Sequence, residues 1–234
     1  MTDNGDAPGR AGRQLVADAV DARRRAQLVS GLRGLARAAD LGGTASDRSP
    51  QAETCDICGA GIPEDHRHLL HLTERRIVCS CEACWAMRSG EGDYRPTGNR
   101  TLWLPDLQVP DELWASFQIP IGLAFFMDST VTSCVVALYP SPGGATESEL
   151  HFESWNRMRE LNPVLRELEP DIEGLVVNRL SDPVAYAIAP IDRCYALTGL
   201  IKAHWEGISG GPAVEAAVAE FFEALRSEAA PAWA

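Results

Sequence analysis

The chain of 234 residues carries a net charge of −12, with 45% hydrophobic and 23% charged residues, proportions that suit a globular protein and exclude collagen-like, coiled-coil and wholly disordered chains. Its longest nearly apolar stretch, Ile119 to Met127, falls far short of the roughly 20 residues a bilayer-crossing helix needs. The acidic start Met-Thr-Asp-Asn-Gly-Asp lacks the basic and apolar regions of a secretion signal, so the expected localisation is cytoplasmic.

Residues 1–10 read as a tail. From Gln14 onward, Leu15, Val16, Val20, Leu28, Val29, Leu32 and Leu35 recur at near-helical spacing, which predicts a helix over about 12–39. Its other face carries Arg23, Arg24 and Arg25, a solvated basic face or a docking face for acidic groups. The polar run Gly42 to Pro50, with glycines and no periodicity, reads as a linker. Residues 1–54 are therefore expected to form an N-terminal helix and linker.

Residues 55–100 form the second expected unit. Five of the seven cysteines cluster here, as Cys55-Asp-Ile-Cys58-Gly59 and Cys79-Ser-Cys81-Glu-Ala-Cys84. Each C-x-x-C turn places two thiolates on one side of a tight loop, and Gly59 lets the backbone curl beneath the first pair with positive φ. Arg67 to Leu72 and Arg76 to Cys79 flank Thr73-Glu-Arg75, so a hairpin can bring the second pair back over the first. This is the plan of a zinc ribbon, or of a rubredoxin-like iron site. The expected metal ligands are Cys55, Cys58, Cys81 and Cys84, with Cys79 as the alternative ligand. The expected cofactor is zinc, with iron as the alternative. A disulfide framework is disfavoured by the absence of a secretion signal, and a thioredoxin-like redox centre would use a single pair. His66, His68 and His71 are expected to lie on the hairpin surface.

A third unit is expected over residues 101–230. Ile119 to Met127 and Thr132 to Tyr139 read as an antiparallel strand pair. A helix from about Ser154 should end at Leu161, where Asn162-Pro163 stops it and can cap a short turn through Leu168. Glu173 to Asn178 and Val184 to Ala189 read as two more strands, and Asp192 is expected to cap a helix reaching about Trp205. Gly207 and Pro212 bracket a helix–helix turn before a last helix, Val214 to Leu225. Cys134 and Cys194, among apolar neighbours, are expected to be core thiols. Strands in pairs with helices between them predict an α+β fold: a small zinc-ribbon unit followed by an α+β sandwich with a mostly antiparallel sheet and helices on one face.

The C-terminal part concentrates the acidity, with 19 acidic against seven basic residues over 101–234. Nucleic acid is therefore not an expected partner, because phosphate binding depends on cationic side chains. The acidic run Glu167, Glu169, Asp171 and Glu173 is an expected docking surface instead. Neither Ser141 to Gly144 nor Gly207 to Gly211 matches a phosphate-binding glycine loop, and no nucleophile elbow is present.

Several stretches together resemble an actinobacterial family of unassigned function, often encoded beside the genes of uptake nickel–iron hydrogenases. They are Cys55 to Gly59 with Glu64 to Leu70, Cys79 to Cys84, Ile119 to Phe126, Tyr139 to Ser148, Asn162 to Leu165, Pro190 to Tyr195 and Gly199 to Gly211. The resemblance covers about 55–226 and implies a setting in hydrogenase maturation or electron transfer; it carries over no catalytic residue. The leading expectation is a non-enzymatic metal-binding accessory protein that docks a protein partner, such as a hydrogenase subunit or maturation factor. Two alternatives stand beside it: a rubredoxin-like electron-transfer protein, and a small-molecule enzyme using the His204/Ser209 turn.

Overall fold

In the computed structural model the described residues are 53–141, 143–148, 150–206 and 210–229; the expected helix over 12–39 and its linker lie outside them. The described residues fall within one compact unit, 52–234. The chain first builds a three-stranded antiparallel sheet from β1 (Arg67–His71), β2 (Arg76–Ser80) and β3 (Tyr94–Pro96), in the order β2-β1-β3, with helix α1 (Glu82–Arg88) between β2 and β3. The β1–β2 turn spans Leu72 to Arg75, one residue longer than the expected Thr73-Glu-Arg75, and Arg75 adopts a left-handed φ of 49°.

The larger sheet uses β4 (Leu102–Trp103), β5 (Leu123–Ser129), β6 (Cys134–Ser141), β7 (Gly144–Ser148), β8 (Glu173–Asn178) and β9 (Ala185–Pro190), in the order β4-β9-β8-β5-β6-β7. Every neighbouring pair is antiparallel. The helices among the described residues of this part are α2 (Asp111–Ser116), α3 (Phe152–Leu161), α4 (Ile191–His204) and α5 (Gly211–Glu228), with a 3-10 turn over Pro163–Glu167. The α+β class and the antiparallel sheet agree with the sequence reading.

The expected placement of helices on one face is corrected. Along β5, Leu123, Phe125 and Met127 enter a core shared with Leu197 and Ile201 of α4 and Phe221, Phe222 and Leu225 of α5. Ala124 and Phe126 point the other way, into a core with Leu113 of α2, Trp155 and Met158 of α3, and Leu165 of the 3-10 turn. Phe126 stacks on Trp155 with ring centroids 5.4 Å apart. Both faces are thus covered, and β8 and β9 are buried at every position. Glu173-Gly-Leu-Val-Val-Asn and Ala185-Tyr-Ala-Ile-Ala-Pro read as continuous runs because neither face meets water.

Other expectations shift with packing. The stretch after Tyr139 is not simply a loop, since β6 runs on to Ser141 and turns into β7. Asn162 makes no side-chain cap; its carboxamide accepts from the Gln108 amide at 2.7 Å and donates to the Gln108 carbonyl at 2.9 Å, clasping the segment before α2. Cys194 is fully buried, as expected of a core thiol, and burial pushes its thiol well up. A side chain on Gly174 would lie 2.8 Å from the Cys194 sulfur, so β8 can pass α4 only with glycine there. Cys134, by contrast, is exposed at the end of the β5–β6 hairpin, opposite Ser129 and bonded to the Thr132 hydroxyl at 3.2 Å.

The acidic run is also redistributed. Glu173 is 2% exposed and accepts from Arg100 Nε at 2.7 Å and Nη2 at 2.6 Å. Asp171 is buried and accepts from the Thr130 amide and hydroxyl. These two carboxylates hold loops inside the fold and leave only Glu167 and Glu169 of the expected docking surface facing solvent.

The small sheet sits against the larger body. Leu70 and Leu72 belong to the same core as α4 and α5. Arg75 Nη1 donates to Glu147 Oε2 on β7 at 2.7 Å, and His68 Nδ1 lies 2.9 Å from Asp192 Oδ2 in the first turn of α4. Asp192 is therefore not the cap of that helix; Pro190 occupies the cap position.

Candidate metal centre

Two turns built on different local devices bring the cysteine pairs together. In the first, the Cys55 amide donates to the Ala60 carbonyl and the Gly59 amide to the Cys55 carbonyl, both at 2.8 Å. Gly59 takes the expected positive φ, 75°, which an L side chain would resist. A bridge between Thr54 and Gly61 closes the loop behind it. In the second, Cys81 occupies the extended N-cap position of α1 and its sulfur accepts from the Cys84 amide at 3.5 Å. Cys84 follows three residues on, the spacing that places two helical side chains on one face.

The hairpin superposes these turns. The Asp56 amide donates to the Cys79 carbonyl at 2.9 Å, and the Cys79 amide donates to Asp56 Oδ2 at 2.9 Å. The sulfurs of Cys55, Cys58, Cys81 and Cys84 all lie within 4.8 Å of one another, and Cys58 and Cys81 are 3.8 Å apart. A tetrahedron of sulfurs around zinc at the usual bond length has an edge of about 3.8 Å, so the donor set fits a tetrahedral thiophilic ion. Cys55 and Cys84 are buried, Cys81 is half-buried and Cys58 is exposed, which leaves the site close to one surface.

The Cys55 and Cys84 thiols are shifted in opposite directions. Burial by itself raises the Cys55 thiol. Hydrogen bonds from the backbone of Cys81, Cys58 and Ile57 and from the Cys58 side chain outweigh it and bring the thiol down to about 6. Cys84 is pushed up to about 12, first by its hydrogen bond with Cys58, then by burial and by hydrogen bonds with Cys81 and Cys55. A thiolate thus forms readily at Cys55, while Cys84 beside it resists ionisation. A divalent cation removes that conflict by taking the place of the shared protons.

Cys79 stands outside the four. It lies on β2 directly opposite His68 of β1, and its sulfur groups with His66 and His68. Burial, then the carboxylates of Asp56 and Glu53, raise its thiol. The expectation of three surface histidines is corrected here. His71 does sit at the hairpin tip, accepting from the Glu74 amide at 3.2 Å and lying edge-on to Tyr94. The His66 side chain is only 6% exposed, and His68 faces the larger body. The signal in the sequence was the His66-x-His68 spacing, since alternate residues entering a strand share a face; the expected turn Thr73-Glu-Arg75 would have set Cys79 opposite Leu69, and the four-residue turn observed sets it opposite His68.

Of the other candidate cluster, His204 ends α4 with its Nδ1 donating to the Leu200 carbonyl at 2.9 Å, and Ser209 lies outside the described residues. Among the described residues no helix is long and apolar enough to cross a membrane. Neither a curated protein nor a solved structure matches the chain. A family model does match, over residues 54–229, a span holding both cysteine pairs and the six-stranded sheet; the chain belongs to the family of unknown function DUF5947.

Proposed function

We propose that this is a cytoplasmic, non-enzymatic metal-binding accessory protein, in which Cys55, Cys58, Cys81 and Cys84 hold one zinc ion that makes the two cysteine turns a rigid docking surface. The observation that carries the reading is the convergence of four sulfurs within 4.8 Å. Four thiolates close a tetrahedral shell and leave no position for a substrate, which is the pattern of structural and not catalytic zinc. The adjoining surface supports docking. Met87 is 63% exposed on α1, and the Arg67 guanidinium lies 4.2 Å over the Trp85 ring, so an apolar and a cationic group flank the site. Methionine, arginine and tryptophan are all favoured at protein interfaces. The proposed partner is a nickel–iron hydrogenase subunit or maturation factor, a choice that rests on the family resemblance alone.

A rubredoxin-like iron centre is the second reading, favoured by the exposure of Cys58, which would bring the ion near the surface. Elemental analysis and visible absorption of protein purified from its native host, without chelator, separate the two: tetrathiolate zinc is colourless and iron is not. Tightly bound zinc, co-purification of a hydrogenase component and less mature hydrogenase in a deletion strain are the expected results. Normal hydrogenase assembly in that strain would remove the accessory role. Less than about 0.2 equivalents of any transition metal would remove the ribbon itself.

A further inference from the structure

We propose that His66 Nε2, His68 Nε2 and the Cys79 sulfur form a second transition-metal site, a two-nitrogen, one-sulfur donor set with its fourth position open to an exogenous ligand. This goes beyond the four-cysteine centre, shares none of its ligands and does not depend on it for donors.

The three residues each offer a ligand atom within 4.8 Å of the others. Their placement follows from the hairpin: His68 and Cys79 are cross-strand partners, and His66 stands two residues before His68 on the same face. The two imidazole rings meet edge to face with centroids 4.7 Å apart.

The hydrogen bonds around the rings select which nitrogen is free. His66 Nδ1 lies 2.9 Å from the Pro63 carbonyl, 3.1 Å from the Glu64 carbonyl and 3.2 Å from Glu53 Oε2. Carbonyl oxygens only accept, so Nδ1 carries the proton and Nε2 presents a lone pair. That Nε2 is buried with no hydrogen-bond partner, in a side chain 6% exposed, and a buried polar atom without a partner is costly. In His68, Nδ1 donates to the Asp192 carboxylate at 2.9 Å, again leaving Nε2. A carboxylate behind one imidazole and backbone carbonyls behind the other are the supports that orient metal-binding histidines.

Two nitrogens and one thiolate suit a borderline divalent ion such as zinc or cobalt, and three protein ligands are the number found where a zinc site keeps a position for water or another ligand. The His68 side chain is 29% exposed and Cys79 is partly exposed, which gives that position access to solvent. Asp192 is a positioning residue, since it acts through His68.

The test is a cobalt(II) titration of the full chain carrying one zinc equivalent, followed by visible absorption and by assay of released zinc. About one cobalt equivalent should bind without releasing zinc, giving tetrahedral ligand-field bands and a sulfur-to-cobalt transition of single-thiolate strength. Cys79→Ser should lose that transition, and His68→Ala should lose the added equivalent. Asp192→Ala should keep the spectrum but weaken binding roughly 10–100-fold. Because His66→Ala could disturb a buried turn, the three partly exposed positions carry the decision, with retained zinc and an unchanged far-ultraviolet spectrum showing that each variant is folded. Cobalt that enters only by displacing zinc, or that binds equally to the wild type, Cys79→Ser and His68→Ala, overturns the inference. Failure of the tetrathiolate reading would appear separately, as an inability to load the first zinc equivalent.

Discussion

Replacing Cys81 by serine tests whether a metal holds the first cysteine turn in place. The turn from Thr54 to Ile62 is nine residues long, and ordering its backbone costs about 9–18 kcal/mol. Against this stand Ile62 and the half-buried Ile57, together giving about 3–5 kcal/mol of apolar burial. The backbone bonds of Cys55, Asp56, Gly59 and Ile62 add about 1 kcal/mol each. Taken at the midpoints the turn is short by roughly 5 kcal/mol, less than the about 10–16 kcal/mol that binding of a structural zinc supplies. Cys81 joins the second pair to the first through its 3.8 Å approach to Cys58, so its loss should open the shell. Hydrogen exchange at the amides of Cys55, Asp56, Gly59 and Ile62 should then accelerate by three to four decades, roughly the factor that 5 kcal/mol represents. Amides within β5, β8 and β9 should keep their protection, because their cores draw on α2 to α5. Retention of tightly bound metal together with unchanged exchange in the turn would refute the ligand assignment, as would a larger effect of Cys79→Ser on that same first equivalent.

Two further outcomes concern the body. Arg100→Ala should destabilise the chain by about 2–3 kcal/mol in denaturant unfolding, below the full cost of breaking a buried pair because Arg100 is partly exposed. It leaves the buried Glu173 carboxylate without its two-pronged partner, whereas Arg100→Ala with Glu173→Gln should recover part of the loss; a neutral single variant would refute this account. Asp128→Asn should raise the melting temperature at neutral pH, since burial, opposed by Arg159 and aided by Asp171, raises the Asp128 carboxyl above its ordinary 3.8 in the folded state. The folded state then binds the proton more readily than the unfolded one, so the wild type gains stability as pH falls from the raised value towards 3.8. The advantage of the variant should shrink over that window, and an advantage that grew on acidification would be the wrong sign.

Local chemistry was enough to read the cysteine turns, the hairpin between them and the α+β class. A C-x-x-C turn with a following glycine, and a strand pair around Thr73-Glu-Arg75, are decided within a few residues by backbone sterics and alternation. So were the strand Glu173–Asn178 and, one residue early as Val184–Ala189, the strand Ala185–Pro190, whose buried residues follow one another without a break. What those runs also implied, a sheet covered on both faces, depended on α2 and α3 returning to the side opposite α4 and α5, and no local signal states where a helix will return. The strands β3, β4 and β7 escaped notice because Tyr94-Arg-Pro, Leu102-Trp and Gly144-Ala-Thr-Glu-Ser show no apolar alternation of their own and are ordered by the neighbour each pairs with.

The same distinction separates the two donor clusters. The four cysteines announce themselves because their spacing is itself the device that aims the thiolates. His66, His68 and Cys79 do not, since a histidine near a strand is ordinary until its surroundings are known. Tertiary structure alone brought Asp192 to His68 across 124 residues of sequence, buried His66 beside the Pro63 and Glu64 carbonyls, and turned Glu173 inward onto Arg100. Charge and residue type are properties of the chain. The cost of burying a charge, or of leaving a lone pair without a partner, exists only once packing has excluded water from around it.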